Sequence, residues 1–378
     1  PYGCQVWSQT EVTCAHTFLH TDVPPDLPAS ILRLDLQGND ITQLRRQPLD
    51  ELKNLQYFDL SGNHIEYVEN GTFAGMNNLR TLNLSRNGLG DSQWSNITSS
   101  LPSLQTLILW ANRLQRINRW SFRGMHNLTF LDLSSNVGWF STSSIEFEEC
   151  ALCGQQRLQR LDMTSNEIST LPNRLFHTKS EMESLEKVQL KLNKITALPD
   201  HVFDPLLALT YLDVSFNKLK TISPSLFKRL LNLKQLFVAG NGIVHISNIT
   251  FLGLNSLTHL DLSFNRLTTV RNIVGPSVRY IDMSRNKISV LNANDFSGLM
   301  NLVHLSLSDN KIKTIDNNAF QGIDNLQVLH LGKNRIATIT SRMFEGLENV
   351  TVLDISLNDN PFYCDCKLLW FVEWMRDN

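Results

Sequence analysis

Hydrophobic positions along the chain fall into one repeated phrase. In Leu257-Thr-His-Leu-Asp-Leu-Ser-Phe-Asn-Arg-Leu267 leucines hold the first, fourth, sixth and eleventh places and asparagine the ninth, with variable residues between. The ninth-place asparagines are Asn39, Asn63, Asn87, Asn112, Asn136, Asn166, Asn193, Asn217, Asn241, Asn265, Asn286, Asn310, Asn334 and Asn358, fourteen copies in all. Most intervals are 24 residues; the exceptions are 25 (to Asn112), 30 (to Asn166), 27 (to Asn193) and 21 (to Asn286). The alternation in Leu260-Asp-Leu262 predicts a short strand with its leucines inward and Asp261 outward.

One such strand cannot bury its own leucines. Stacked copies can, each leucine row closing on the next to build one continuous core. The phrase L-x-x-L-x-L-x-x-N-x-L therefore predicts an α/β leucine-rich-repeat solenoid, a horseshoe with a parallel β-sheet on its concave face and irregular, 3-10 or short helical segments on its convex face. The asparagine belongs in the turn after the strand, where its amide can satisfy backbone groups that the turn leaves unpaired. A second apolar mark (Phe73, Phe122, Phe176, Phe203, Phe227, Phe251, Phe296, Phe320 and Phe344) predicts a stacked aromatic spine under the convex face. The 21-residue repeat has Gly275-Pro276 where its phenylalanine would fall, which predicts a shorter, flatter segment.

The pattern also divides the chain. Residues 1–30 precede the first phrase and form an amino-terminal cap; residues 31–359 hold the fourteen repeats; residues 360–378 begin a carboxy-terminal cysteine cap. The open end of a sheet exposes leucines and unpaired backbone and needs a lid. Cys4 and Cys14 are expected to close a hairpin lid by a disulfide, with two free thiols as the alternative. Within the repeats, Asp91–Thr98 is a looser turn and Thr178–Glu183 a small polar insertion. The phrase breaks after Asn136, and residues 137–157 are expected to leave the solenoid as a loop. That segment carries Cys150-x-x-Cys153, read as a local disulfide, as a pair of thiols, or as a chemical site; zinc needs four ligands and thioredoxin-like chemistry needs a surrounding unit, and neither is present.

Both ends carry family marks. Cys4…Cys14, then Val23-Pro-Pro-Asp-Leu-Pro28 and Ile31-Leu-Arg-Leu-Asp-Leu36, resemble the amino-terminal cap and first repeat of animal extracellular leucine-rich-repeat receptors. Asn360-Pro-Phe-Tyr-Cys-Asp-Cys366, with Leu369-Trp370 and Trp374, is similar to their carboxy-terminal cap. That family includes Toll-like receptors, the variable lymphocyte receptors of jawless vertebrates, and neuronal adhesion and guidance proteins. The two-cysteine amino-terminal cap looks more Toll-like; fourteen repeats are few for a Toll-like receptor and many for a variable lymphocyte receptor. The resemblance implies two further cysteines downstream, partners for Cys364 and Cys366. Their absence before Asn378 predicts a truncated cap, with any stalk, anchor or signalling domain lying beyond it.

Composition narrows the function. The chain has 378 residues, a net charge of −2 and 42% hydrophobic residues. No apolar run reaches the ~18 residues that span a membrane, so membrane attachment is expected only through a missing carboxy-terminal anchor. Near-neutral charge argues against bulk nucleic-acid binding. Nucleophile-elbow, zincin, Walker, EF-hand and dinucleotide-binding motifs are absent, so no catalytic, metal or cofactor site is expected. Asp35, Asp59, Asp132, Asp162, Asp213, Asp261, Asp282 and Asp354 share one repeat column and are read as a surface ladder, not as acid–base machinery. Sequons occur at Asn70, Asn83, Asn96, Asn127, Asn248 and Asn349; a glycan on Asn83 would block part of the concave face.

Fourteen strands about 4.8 Å apart give an arc on the order of 60 Å, suited to a macromolecule. Candidate contacts are outward residues that depart from the bland pattern. Tyr57, Ile108, Trp110 and Phe130 are apolar, with cover by the insertion loop or a glycan as the alternative. Lys187, Gln189 and Lys191 form a basic stripe or a solvated edge. Tyr211, Phe237, His259, Tyr280, His304 and His330 follow, the histidines being candidate pH sensors. The resemblance implies an extracellular innate-immune receptor ectodomain that binds a microbial surface molecule or a protein ligand, with homodimerisation possible in principle. The alternative is a cell-adhesion or guidance protein that binds another cell-surface protein.

Overall fold

A computed structural model describes residues 3–98, 101–137, 144–176, 182–271, 275–344, 347, 354–363 and 370–371. The chain divides into two compact units, Pro1–Ile195 with Pro205–Leu209, and Thr196–Asp204 with Thr210–Asn378. The fold is the expected parallel-sheet solenoid with little helix. In the first unit a hairpin of Gln5–Ser8 and Glu11–Thr13 opens the sheet, and its second arm pairs in parallel with Arg33–Asp35. Strands Tyr57–Asp59, Thr81–Asn83, Thr106–Ile108, Phe130–Asp132, Arg160–Asp162 and Lys187–Gln189 follow in parallel, one per repeat and in one register. The second unit repeats this with Tyr211–Asp213, Gln235–Phe237, His259–Asp261, Tyr280–Asp282, His304–Ser306, Val328–His330 and Asp354–Ser356.

The middle residue of each strand points into the core; Leu34, Phe58, Leu82, Leu107, Leu131, Leu236, Ile281, Leu305 and Leu329 are all 0% exposed. On the far side Phe227 stacks on Phe251 (6.4 Å between ring centroids), Phe296 on Phe320 (5.8 Å) and Phe320 on Phe344 (6.3 Å). The spine runs one ring further than the sequence pattern indicated, to Phe371 at 5.9 Å from Phe344. The looser turn at Asp91–Thr98 is a helix, and Ser341–Phe344 is a 3-10 turn.

Disulfides join Cys4 to Cys14 and Cys150 to Cys153. Cys364 and Cys366 lie outside the described residues. The segment expected to leave the solenoid at 137–157 rejoins it early. Glu146–Phe147 pairs in parallel with Arg116–Ile117, and Ile145, Ala151 and Leu152 are buried. Those apolar side chains fill the same wall as the neighbouring repeats, so only residues 138–143 of the segment lie outside the described structure.

The asparagines form the ladder. In the second unit, the Asn265 amide nitrogen donates to the carbonyls of Val238 (3.0 Å), Leu262 (3.1 Å) and Ser263 (3.2 Å), while its oxygen accepts the Ile243 N–H (3.1 Å). Asn286, Asn310 and Asn334 do the same. In the first unit the ladder reaches the cap, Asn39 donating to the Cys14 carbonyl at 2.8 Å. The last rung corrects the sequence reading. Asn360, not Asn358, donates to Leu331 and Leu357 and accepts from Ile336. Ile355 is the inward residue opposite Leu329, so the final phrase starts at Val352 and its asparagine is 26 residues after Asn334. Each rung follows a residue in the left-handed region, with φ between 54° and 66° from Gly38 to Asp359. That conformation costs a non-glycine residue about 1 kcal/mol, which the amide's backbone bonds offset.

Replacing Asn265 with Ala strands the Ile243 N–H in the core and leaves the carbonyls of Val238 and Leu262 with one amide donor each, from Asn241 and Asn286, instead of two; it should cost on the order of 2 kcal/mol. Asn360→Ala should also lower the melting temperature, whereas Asn358→Ala, on an exposed residue, should stay within about 0.5 kcal/mol of wild type. The reverse order in a thermal-melt series would refute this register of the last repeat.

Candidate functional site

Because the middle residues from Leu34 to Leu329 are buried, their two neighbours face out, and identical register stacks them into columns. The column after the middle residue is mostly aspartate, and it is structural. Asp59, Asp132, Asp162, Asp213, Asp261 and Asp282 each accept the N–H two residues on, at 2.8–2.9 Å. Burial, the largest cause, raises the pKa of Asp132 and Asp261, and like-charged neighbours add to it, while Ser134 and Ser263 pull each back down. These carboxylates shape the turn. No cluster of three or more metal-ligating side chains occurs among the described residues.

In the first unit the expected apolar residues split into two places. Tyr57 lies under the Arg33 guanidinium (4.1 Å) and donates its hydroxyl to Asp59 (3.1 Å). Burial, with the Asp59 charge, pushes its pKa up to about 12. One strand, Thr81–Asn83, separates it from the second group. There Ile108 lies between Asn83 and Asp132, and Phe130 between Thr106 and Arg160. Trp110, 38% exposed, carries the Arg86 guanidinium 6.0 Å from its ring. Lys187 pairs in register with Arg160, a cation the sequence reading passed over, and Gln189 donates to Asp162 (2.6 Å). Lys191 continues from the same strand.

The second unit brings its candidates together. His259 stacks on Tyr280 with centroids 4.4 Å apart and rings 14° from parallel. Tyr280 meets His304 at 6.2 Å, and His304 meets His330 edge-on at 5.1 Å. Tyr211 and Phe237 form a separate tilted pair at 5.2 Å. Burial lowers the pKa of His259, with Arg279 adding to it; burial and then His330 lower that of His304. A further ring pair escaped sequence reading. Phe216 and Phe264, just before their ladder asparagines, lie 6.1 Å apart across Gly240. A Cβ on Gly240 would fall 2.5 Å from the Phe216 ring, so glycine is required there. Only its spacing two repeats apart in the left-handed column could have signalled the pair.

Of the sequons, Asn70 and Asn248 are exposed. Asn83 is half-buried and donates to Asp59 (3.0 Å), Asn96 donates to the Val68 carbonyl (2.8 Å) and Asn127 to Pro102 (2.9 Å). Asn349 lies outside the described residues.

A leucine-rich-repeat family model matches residues 30–89, 98–138, 183–243, 208–267, 273–312 and 300–359. The chain belongs to the leucine-rich-repeat family. It is 27% identical to mouse podocan over 284 residues, 74% of this chain and 40% of podocan. The chain thus spans well under half of that relative's length. Among solved structures, a leucine-rich-repeat protein of Leptospira interrogans superimposes with a TM-score of 0.71 at 26% identity, covering 96% of this chain and 92% of that one. Drosophila Toll, in its complex with Spätzle, gives a TM-score of 0.65 at 20% identity over 93% of this chain and 57% of that one. No described helix is long and apolar enough to cross a membrane.

The lowered pKa values carry a sign. His259 and His304 are neutral in the fold above their ordinary value of about 6.5. As pH falls below it the unfolded chain takes up protons first, so stability is lost as pH drops through the folded values. The melting temperature should fall between pH 7 and pH 5, and the His259→Gln, His304→Gln double variant should flatten that slope. An unaltered slope would show that these imidazoles do not set it.

Proposed function

We propose that the chain is the recognition part of an extracellular innate-immune receptor that grips a protein or microbial surface molecule through the exposed face of its sheet. The observation that carries this reading is the run of rings His259–Tyr280–His304–His330. Four adjacent strands present mutually packed rings with polar tips, three half-buried histidines and the exposed Tyr280, the type of surface from which binding anchors are drawn. The packing holds the rings in place before a ligand arrives, which reduces the ordering cost of association. The fold of Toll carries a protein ligand, Spätzle, which supports a protein as one class of partner. Two disulfides suit an oxidising, extracellular setting. Trp110, Ile108 and Phe130, with Arg160, Lys187 and Lys191 on the two repeats that follow, form a second contact zone on the first unit.

Adhesion to another cell-surface protein is the competing reading, and the same face serves it. Binding of the purified chain to whole bacteria, isolated cell-wall material and a panel of host cells separates the two. Saturable microbial binding is expected, weakened tenfold or more by Tyr280→Ala or Trp110→Ala, as anchor truncations of about 2 kcal/mol imply. Binding confined to host cells would replace immune recognition with adhesion. Binding indifferent to both substitutions would remove the sheet face from the account.

A further inference from the structure

The residue after each ladder asparagine marks a flank of the solenoid that the sheet-face reading leaves unused. In the second unit these positions hold Lys218, Gly242, Arg266, Lys287, Lys311 and Arg335. Backbone hydrogen bonds stack them into one column. The N–H groups of Gly242, Arg266, Lys287, Lys311 and Arg335 donate to Leu219 (2.8 Å), Ile243 (2.9 Å), Leu267 (2.8 Å), Ile288 (2.8 Å) and Ile312 (2.8 Å) of the preceding turns. Two residues on, the neighbouring column adds Lys220 and Lys313. Neither column contains an acidic residue, and all seven cations are exposed. None is ion-paired among the described residues, although Arg271 and Arg285 of the same unit are held by Asp295 and Asp309.

The first unit treats the same column differently. There Asp40 faces His64 (3.6 Å), Arg113 is bound by Glu66 from the adjoining column (2.9 Å), and Lys194 pairs with Glu167. Alternating signs neutralise that flank from within. In the second unit the charge is uniform. Strand spacing of about 4.8 Å sets the repeat within a Debye length of about 8 Å, so the cations repel one another until an external anion neutralises them. A small anion would meet one or two of them; a linear polyanion lying along the stack meets all.

The local chemistry selects among polyanions. Neither column has an aromatic ring to stack a base, and Val244 is the one sizeable apolar side chain available to enter a lipid surface. Thr268 and Ser289 offer hydroxyls instead. Gly242 leaves a gap between Lys218 and Arg266, where a recess of about 500 Å³ opens, walled by those two residues with Lys220 and Val244. We propose that this flank binds a linear sulfated or carboxylated polysaccharide along the stack, with one anionic group seated over Gly242. Such binding does not depend on the ligand assigned to the sheet face.

Heparin serves as the probe. Wild-type protein should stay on immobilised heparin at 0.15 M salt, a condition at which screening extends about 8 Å. The variant Lys287→Gln, Lys311→Gln, Arg335→Gln should elute earlier, and the slope of log affinity against log salt should fall by about one for each cation removed. Gly242→Asp, which puts a carboxylate in the recess, should also elute early. Lys53→Gln, Arg123→Gln, Lys228→Gln changes net charge equally on exposed positions elsewhere and should elute near wild type. Thermal melts of all four verify folding. Wild-type protein that washes through, or equal shifts for the two triple variants, would overturn the proposal. So would competition by phosphatidylserine vesicles or single-stranded DNA as strong as by heparin at matched charge, since the partner would then not be a polysaccharide.

Discussion

The structure depends on one amide per turn. An asparagine at the ladder position closes its own turn and fastens it to the turn before, using both donors and an acceptor on backbone groups inside the core. Each carbonyl is shared between two successive asparagines, while the N–H has the amide oxygen as its one partner in the buried turn, and leaving it unmade costs about 1–3 kcal/mol. The same bonds hold the preceding residue at positive φ even where it carries a side chain, as at Phe216 and Lys333. The strain is local and small; the amide's satisfaction of the turn is what permits it. Stacked leucines and the phenylalanine spine then add the nonpolar burial, but they could slide without the ladder to fix the register.

Fixed register turns every sequence position into a column. A side chain no longer acts alone, because its counterpart one repeat away stands beside it. Stacked rings such as His259 and Tyr280 follow from this, as do the raised pKa values of Asp132 and Asp261, whose aspartate neighbours add to the effect of burial. That carboxylate column is tolerable because each member caps its own turn through a backbone N–H. Column chemistry is therefore cumulative: alternating charges cancel, equal charges add, and rings build a continuous surface.

Much of this was legible in the sequence. The L-x-x-L-x-L-x-x-N phrase carried the sheet, the register and the inward leucines, and the phenylalanine spacing carried the spine. Reading went astray where two solutions fit the pattern. Asn358-Asp-Asn360 offers two asparagines, and the 24-residue interval favours the first; the apolar residues Ile355 and Leu357 favour the second, and the strand register with the bonds of the Asn360 amide decides. The segment after Asn136 looked like a loop because Gly138 breaks the phrase, yet Ile145, Phe147, Ala151 and Leu152 supply the apolar wall. For the candidate site, the outward rings were visible one at a time. Arg33 over Tyr57, Arg86 by Trp110 and Arg160 beside Lys187 were not, because cation–ring and cation–cation neighbours lie a whole repeat apart in the chain.

The second unit carries its two chemistries on the same turns. Tyr280, Asn286 and Lys287 belong to one turn, His304, Asn310 and Lys311 to the next, and His330, Asn334 and Arg335 to the one after. In each, the ladder asparagine separates a ring on the sheet face from a cation on the flank. The net charge of −2 hides this arrangement, since it sums 34 basic against 36 acidic residues over the whole chain and says nothing of where they stand. The two surfaces are thus built on one rigid set of backbone bonds but share no side chain. Substitutions on either can leave the other in place, and a rigid turn can present both a sheet-face ligand and a flank ligand at once without one having to displace the other.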